Sequence, residues 1–164
     1  IGEEFGLIGG GAVVLLFLFG CSGVGSPPME PLTPETLARA ELRWRTHVAD
    51  SYHLIVRVRP PRADVTLYDI KVSGGEIVKL ERDGKPLRPE EVRHSDYSVA
   101  GLFGMLHQDL LLTDMTQTEN APPLDLRARF EPGTGRLVRY RRTVGSGRRR
   151  VLMVEVVKYE PLGA

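Results

Sequence analysis

Cysteine is almost absent from this chain of 164 residues, since Cys21 is the only one. A single thiol excludes a disulfide within the chain and any metal site built from several cysteines. Histidine is also scarce, and the four present, at positions 47, 53, 94 and 107, include no i, i+4 pair that would direct two imidazoles at one metal ion. We therefore expect no metal and no cofactor, and a fold that packing alone stabilises.

Long apolar runs are absent as well. One apolar run without interruption is present, over residues 7–20, but it has only 14 residues. A helix needs roughly 20 residues to cross the hydrocarbon core of a bilayer. Three consecutive glycines at positions 9–11 each weaken a helix by about 1 kcal/mol relative to alanine. A removable export signal tolerates both features, so residues 1–20 are predicted to be a signal peptide rather than a membrane span.

The end of this run, Leu18-Phe19-Gly20-Cys21, resembles the lipobox of bacterial lipoproteins. In that family a leucine stands three residues before the cysteine, and a small residue stands directly before it. The resemblance implies that Cys21 receives a diacylglycerol and anchors the mature protein to a membrane, on the extracytoplasmic side of the bacterial cell envelope. Two alternatives stay open: an ordinary secretory signal with an incidental cysteine, and a buried core segment with an unmodified thiol.

The segments on either side of the apolar run complete this prediction. Residues 1–6 contain neither Lys nor Arg and no initiator Met, although export signals begin with positive charge, so we expect the signal to be truncated at its start. Residues 21–33 are rich in Gly, Ser and Pro and predict a flexible linker behind the lipidated cysteine. Ser22 does not resemble the Asp that retains lipoproteins at the inner membrane of some Gram-negative bacteria, which favours the outer membrane.

Residues 34–164 are predicted to form one domain, which begins with a helix. Thr33 suits the N-cap and Pro34 the first helical position. The apolar residues of this helix recur at helical spacing: Leu37, Ala40, Trp44 and Val48. A second helix is predicted from about Ser98, with an apolar stripe of Val99, Leu102, Phe103, Leu106 and Leu110. Gly101 and Gly104 are costly inside a helix and indicate close packing against another element.

Six strands are predicted from alternating apolar and polar residues, over 52–58, 65–72, 76–81, 125–130, 137–143 and 149–159. Glycine-containing turns such as Gly74-Gly75 join neighbouring strands, which favours antiparallel pairing. We therefore expect an α+β fold, with an antiparallel sheet of about six strands and two helices packed on one face. The expected order is α-β-β-β-α-β-β-β.

Several segments between residues 37 and 160 resemble, in the same order, a family of uncharacterised bacterial lipoproteins that is classed as a domain of unknown function. These segments are the helix around Trp44 with Ser51-Tyr52-His53-Leu54, and then residues 69–78, 98–103, 130–135 and 156–159. The resemblance implies an envelope lipoprotein. It brings no catalytic residues, because none are established for that family.

Arginine is plentiful where acidic residues are few. The whole chain carries a net charge of +1, but the stretch from residue 122 onward has 10 basic against 4 acidic residues, a net +6. Arginines gather on the last predicted hairpin, at Arg139, Arg141, Arg142, Arg148, Arg149 and Arg150, joined by Arg127, Arg129 and Arg136. Leu137, Arg139 and Arg141 alternate with Val138 and Tyr140, so one face of a strand is expected to carry positive charge.

Two interpretations of these arginines stay open. They form a solvated outer face that also discourages edge-to-edge aggregation, or they bind an anionic partner in the envelope. Such a partner would be phospholipid head groups, lipopolysaccharide phosphates or an acidic protein. Nucleic acid is not an expected partner, because an exported and lipid-anchored protein does not meet it routinely.

A catalytic motif is not evident in the sequence. Gly145-Ser146-Gly147 has the wrong spacing for a nucleophile elbow. The acidic pairs Asp109 with Asp114, and Glu90 with Glu91, become acid–base candidates only if a cleft brings them together. We therefore predict a membrane-tethered, non-enzymatic binding or structural module. An envelope hydrolase, and an inhibitor or assembly factor of envelope proteins, are the alternatives.

Overall fold

The computed structural model describes residues 28–47, 49–88, 91, 96–115, 122–145 and 150–163, with the side chains of Asp114 and Met115 excepted. The predicted signal peptide, Cys21 and most of the predicted linker lie outside these residues. So do Val48, Glu90, His94, Ser146, Gly147, Arg148 and Arg149. Within the described ranges, no helix is long and apolar enough to cross a membrane.

The first helix, α1, spans Pro34–Thr46 and begins where the sequence predicts. The Thr33 hydroxyl accepts a hydrogen bond from the backbone N–H of Thr36 at 3.2 Å, and the Thr36 hydroxyl accepts one from the backbone N–H of Thr33 at 2.9 Å. This capping box satisfies two backbone donors near the start of the helix. Leu37, Ala40 and Trp44 are buried, which confirms this part of the predicted apolar stripe.

The second helix, α2, spans Val99–Met115. The Ser98 hydroxyl caps its first turn by accepting a hydrogen bond from the backbone N–H of Gly101 at 3.1 Å. Val99, Leu102 and Leu106 are fully buried, as predicted. Gly101 is closely packed, because a Cβ there would lie 2.2 Å from the backbone oxygen of Asp96, but that residue belongs to the segment leading into α2 and not, as was expected, to another element. The same prediction is wrong for Gly104, where a Cβ would meet nothing within 4 Å.

The strands form one antiparallel sheet. They are β1 (Glu30–Pro31), β2 (Tyr52–Arg59), β3 (Thr66–Ser73), β4 (Glu76–Arg82), β5 (Lys85–Pro86), β6 (Leu124–Phe130), β7 (Leu137–Val144) and β8 (Arg150–Pro161). Their spatial order is β1-β6-β7-β8-β2-β3-β4-β5. The last strand, β8, therefore pairs with β2 and unites the two runs of strands, which are distant in sequence, into one sheet.

The predicted number and order of strands are wrong, although all six predicted strands are present. The described residues form eight strands, in the order β-α-β-β-β-β-α-β-β-β. The two additional strands, β1 and β5, each contain two residues. An alternation of period two cannot be recognised in two residues, so neither strand leaves a signal in the sequence.

Both helices cover the same face of the sheet. Alternate residues of β2 point to this face, and Tyr52, Leu54, Val56 and Val58 are all buried. The ring of Trp44 on α1 meets the ring of Tyr52 edge-on at 6.0 Å, and the Tyr52 hydroxyl accepts a hydrogen bond from the backbone N–H of Val99 at the start of α2. We call this the core face and the opposite one the open face.

The β6–β7 hairpin contains a bulge that changes which residues share a face. Phe130 pairs with Leu137, but Arg129 pairs with Arg139, so Val138 is an extra residue. As a result Leu137 and Tyr140 both lie in the core, each at most 1% exposed, whereas Arg139 points to the open face. The expectation that Leu137 shares a face with Arg139 and Arg141 is therefore wrong, because a bulge shifts the alternation by one residue.

Candidate anion-binding site

Six arginines on three strands occupy the open face at the β1 side of the sheet. We call this set the arginine face: Arg57 and Arg59 on β2, Arg127 and Arg129 on β6, and Arg139 and Arg141 on β7. The strand β8 lies between β7 and β2 and contributes Glu155 and Met153. Strand pairing arranges these side chains in two rows. One row runs Arg129, Arg139, Glu155, Arg57, and the other runs Arg127, Arg141, Met153, Arg59.

Like charges oppose each other across the β6–β7 pairing. Arg127 is the direct partner of Arg141, and Arg129 is the direct partner of Arg139. Like charges placed directly opposite on one face of a sheet are destabilising. Two carboxylates, those of Asp125 and Glu155, lie among the six guanidinium groups, which leaves this half of the open face with a net charge of +4.

The two carboxylates are shared between arginines. Glu155 accepts hydrogen bonds from Arg139 and, at 3.1 Å, from Arg57. The Arg139 guanidinium, and to a lesser degree that of Arg57, holds the pKa of Glu155 below its usual range. Asp125 lies 3.3 Å from Nε of Arg127 and 3.4 Å from an Nη of Arg141.

Several arginine donors on this face are not used by the protein. Arg59 is exposed and forms no ion pair with any other described residue. The Nε atoms of Arg139 and Arg141 are buried and have no hydrogen-bond partner in the part of the chain that the structure describes. A buried donor without a partner is costly, but these two atoms are closed to an external anion, so the exposed guanidinium of Arg59 is the donor that remains available to one.

The arginine face contains two shallow depressions. One, of about 190 Å³, is lined by Arg57, Arg59, Arg139, Met153 and Glu155. The other, of about 510 Å³, is lined by Pro123, Asp125, Arg141, Thr143, Gly145, Val151 and Met153. Met153 separates the two. The smaller depression, with three guanidinium groups in its lining, suits phosphate, sulfate or carboxylate, because planar donor forks match those oxygens in pairs.

A third depression continues the positive charge around the edge of the sheet. It has a volume of about 280 Å³ and lies between α1, β1 and the end of β6. Its polar lining includes Arg39, Arg43, Arg129 and Glu30, and Pro28 lies at its rim. Arg43 donates to the backbone oxygen of Pro132 at 3.4 Å. The positive region therefore reaches the place where the described chain begins.

The structure brings together only part of the predicted arginine cluster. Arg139 and Arg141 share the open face with Arg127 and Arg129, as described above. Arg142 follows Arg141 in the strand and points to the opposite face, where it donates to Asp109 at 2.5 Å. Arg150 is exposed at the start of β8, opposite Val144.

Arg136 also lies apart from the arginine face. Its guanidinium is 4.7 Å from the centre of the Tyr159 ring, and Tyr159 in turn meets Trp44 edge-on at 6.0 Å. Burial lowers the pKa of Arg136. The cation–π contact with Tyr159 and the half-buried position give Arg136 a packing role.

A second polar cluster, inside the core, was not predicted. The Asp109 carboxylate on α2 is 3% exposed and accepts hydrogen bonds from the Tyr140 hydroxyl at 2.6 Å and from Arg142 at 2.5 Å. Burial, together with the bond to Asp109, raises the pKa of Tyr140. Because both carboxylate oxygens of Asp109 are occupied by protein donors, this cluster ties α2 to β7 rather than presenting an acid or base to a substrate.

A histidine and a carboxylate, the minimum that the hydrolase alternative requires, do meet on the open face. His53 Nε2 lies 3.0 Å from Asp69, and its Nδ1 lies 4.0 Å from Glu160. Both ring nitrogens therefore face carboxylates, and neither His53 nor Asp69 lines any of the three depressions described above. Among the described residues, no group of three or more His, Cys, Asp or Glu side chains is arranged to hold a metal ion.

Comparisons with known proteins do not assign the chain to a family. No protein-family model matches it, and no curated protein matches it.

Proposed function

We propose that this chain is a lipid-anchored protein of the bacterial cell envelope, attached through Cys21, and that its domain is a non-enzymatic binding module. The arginine face is the surface that binds, and its partner is anionic. One observation carries the proposal: six arginines surround two carboxylates on one half of the open face, which leaves a net charge of +4 there. An anionic partner would neutralise this excess of positive charge.

The distribution of charge favours binding over mere solubility. A soluble surface carries both signs of charge. On the other half of the open face Asp69 pairs with Glu81 and Lys71 with Lys79, so like charges are opposed there too, but these four charges cancel. The charges of the arginine face do not cancel. Protection against edge pairing is also a weak explanation, because the arginines lie on interior strands while the edge strands β1 and β5 are only two residues long.

The two alternative functions differ in how well the geometry supports them. A hydrolase would need the His53–Asp69 pair to face a substrate, but the second ring nitrogen faces Glu160 and no described depression adjoins the pair. An inhibitor or assembly factor would use the same arginine face, with an acidic protein as the partner.

Retention of the full chain on immobilised heparin, a soluble polyanion, tests the binding surface. The protein would carry Cys21→Ser so that no lipid contributes. We expect Arg59→Gln combined with Arg141→Gln to lower the salt concentration at which the protein elutes. Arg45→Gln combined with Lys85→Gln is the matched control, since it removes the same charge from exposed positions on α1 and β5. If the two double variants lower the elution salt concentration equally, heparin responds to total charge, which would contradict binding at the arginine face.

Lipid attachment is tested separately in a bacterial host supplied with labelled palmitate. When a positively charged start is restored to the signal, the chain with Cys21 should incorporate the label and the Cys21→Ser chain should not. Label that persists in the Cys21→Ser chain would refute the anchor.

A further inference from the structure

We propose that the arginine face binds the anionic phospholipid head groups of the membrane that holds the Cys21 lipid. The proposal rests on the proposed function, both for the anchor and for the binding surface, and it identifies the partner of that surface. Two independent features favour lipid head groups over a soluble partner: the length of the chain between Cys21 and the sheet, and the side of the sheet that carries the charge.

The chain between the lipid and the sheet is short. Glu30, the first residue of β1, is nine residues after Cys21. Nine residues span at most about 30 Å when fully extended, at 3.3–3.6 Å each. The start of β1 therefore stays within about 30 Å of the bilayer.

The tether joins the sheet beside the arginine face. β1 pairs with β6, and Pro31 is the direct partner of Arg127. β6, β7, β8 and β2 follow β1 in that order, and neighbouring strands are about 4.8 Å apart. All six arginines thus lie within four strand spacings, about 20 Å, of the strand that the tether enters. That distance is shorter than the reach of the tether.

The charge is concentrated on this half of the open face and not on the far half. The half nearer the tether has a net charge of +4, whereas Asp69, Lys71, Lys79 and Glu81 on β3 and β4 cancel one another. A negatively charged surface would draw this half of the sheet toward it, and the smaller depression, lined by Arg57, Arg59 and Arg139, would receive a head-group phosphate.

The lipid and the arginine face then have different tasks. The acyl chains of a diacylglycerol already hold the protein at the membrane. Contact through six arginines on a rigid sheet fixes the orientation of the domain, with the open face toward the bilayer and the helices α1 and α2 toward the periplasm or exterior.

Sedimentation of the Cys21→Ser full chain with lipid vesicles tests this proposal, because the face alone then provides binding. Vesicles of phosphatidylcholine with 30% phosphatidylglycerol, a composition chosen roughly to match an anionic leaflet, are compared with vesicles of phosphatidylcholine alone. We expect binding to the anionic vesicles only, and weaker binding as salt increases. Each arginine near an anionic leaflet contributes about 1 kcal/mol, or about fivefold in affinity. Arg59→Gln with Arg141→Gln should therefore weaken vesicle binding about 25-fold, and Arg45→Gln with Lys85→Gln about twofold at most.

The heparin and vesicle measurements together separate the two proposals. Retention on heparin that depends on Arg59 and Arg141, without binding to anionic vesicles, would overturn the lipid proposal while the anion-binding face remains. If the variant with Arg59→Gln and Arg141→Gln keeps both its heparin binding and its vesicle binding, the anion-binding proposal and the lipid proposal are both overturned. Equal loss of vesicle binding in the two double variants would also overturn the lipid proposal, since it would indicate attraction to overall charge. Urea unfolding of each variant establishes that the fold is retained.

Discussion

Tyr140 and Asp109 are joined by a hydrogen bond of 2.6 Å inside the core, where the hydroxyl of a fully buried β7 tyrosine meets a buried carboxylate of α2. Arg142, at the rim of the core, donates a hydrogen bond to the other oxygen of the Asp109 carboxylate. Both partners of Asp109 come from the strand that also carries Arg139 and Arg141 on its other side. The cluster therefore helps to fix the orientation of β7, and with it the arginine face.

Asp109→Ala should lower the free energy of unfolding by about 3 kcal/mol, because it leaves the Tyr140 hydroxyl buried without an acceptor and Arg142 without its partner. Tyr140→Phe should cost less, about 1–2 kcal/mol, since Asp109 keeps its bond to Arg142. Urea unfolding measures both. Asp64→Ala, at an exposed aspartate, is the control and should change stability by less than about 0.5 kcal/mol. An Asp109→Ala effect no larger than that of Asp64→Ala would contradict a structural role for the cluster.

Much of the fold is predictable from local sequence patterns. Capping by Thr33, the apolar stripes of both helices and the six longer strands all depend on residues close in the chain, and all are present apart from Val48 of the first stripe, which lies outside the described residues. The strand order depends on which strands pair, and the pairing of β8 with β2 joins residues about 100 positions apart, as Arg57 and Glu155 illustrate. Local alternation contains no information about that pairing.

The candidate site was predictable in part for the same reason. Alternation within β7 places Arg139 and Arg141 on one face, but they share it with Arg127 and Arg129 only because of the bulge at Val138. Arg57 and Arg59 join them only through β8. Arg142 could have been separated from Arg141 on the sequence alone, since adjacent residues of a strand point to opposite faces.

The β6–β7 hairpin is held against α1 at Gly135, which gives a second prediction. Gly135 has a φ of +76°, and a Cβ there would lie 2.1 Å from the backbone oxygen of Ala40. Gly84 has nearly the same φ, +75°, but a Cβ there would meet nothing within 4 Å. Gly84→Ala should therefore cost about 1–2 kcal/mol for the left-handed backbone alone. Gly135→Ala should cost at least about 2 kcal/mol more, because α1 must move.

Urea unfolding of the two alanine variants provides the comparison. Because the two φ angles are nearly equal, the difference between the two costs reports the contact between the hairpin and α1. Equal costs would mean that the turn does not press against the helix in solution.

Glu155 provides a third prediction, in which stability and binding change in opposite directions. The pKa of Glu155 is lowered in the folded protein, mainly by Arg139. A carboxylate with a lowered pKa stabilises the fold above its unfolded pKa, and that contribution is lost as the pH falls through the folded value. As the pH falls from 7, the free energy of unfolding should therefore decrease more for the unmodified protein than for the Glu155→Gln variant. This difference should appear below about pH 4.5.

The same substitution should strengthen binding of polyanions at pH 7. Glu155→Gln removes the carboxylate that Arg57 and Arg139 share, so both guanidinium groups become available to an external anion and the charge of the face rises. The protein should elute from heparin at higher salt although it is less stable. Glu76→Gln is the control, since Glu76 is exposed and forms no ion pair with other described residues. If Glu155→Gln and Glu76→Gln elute together, Glu155 does not compete with the anion, and the arginine face is not where heparin binds.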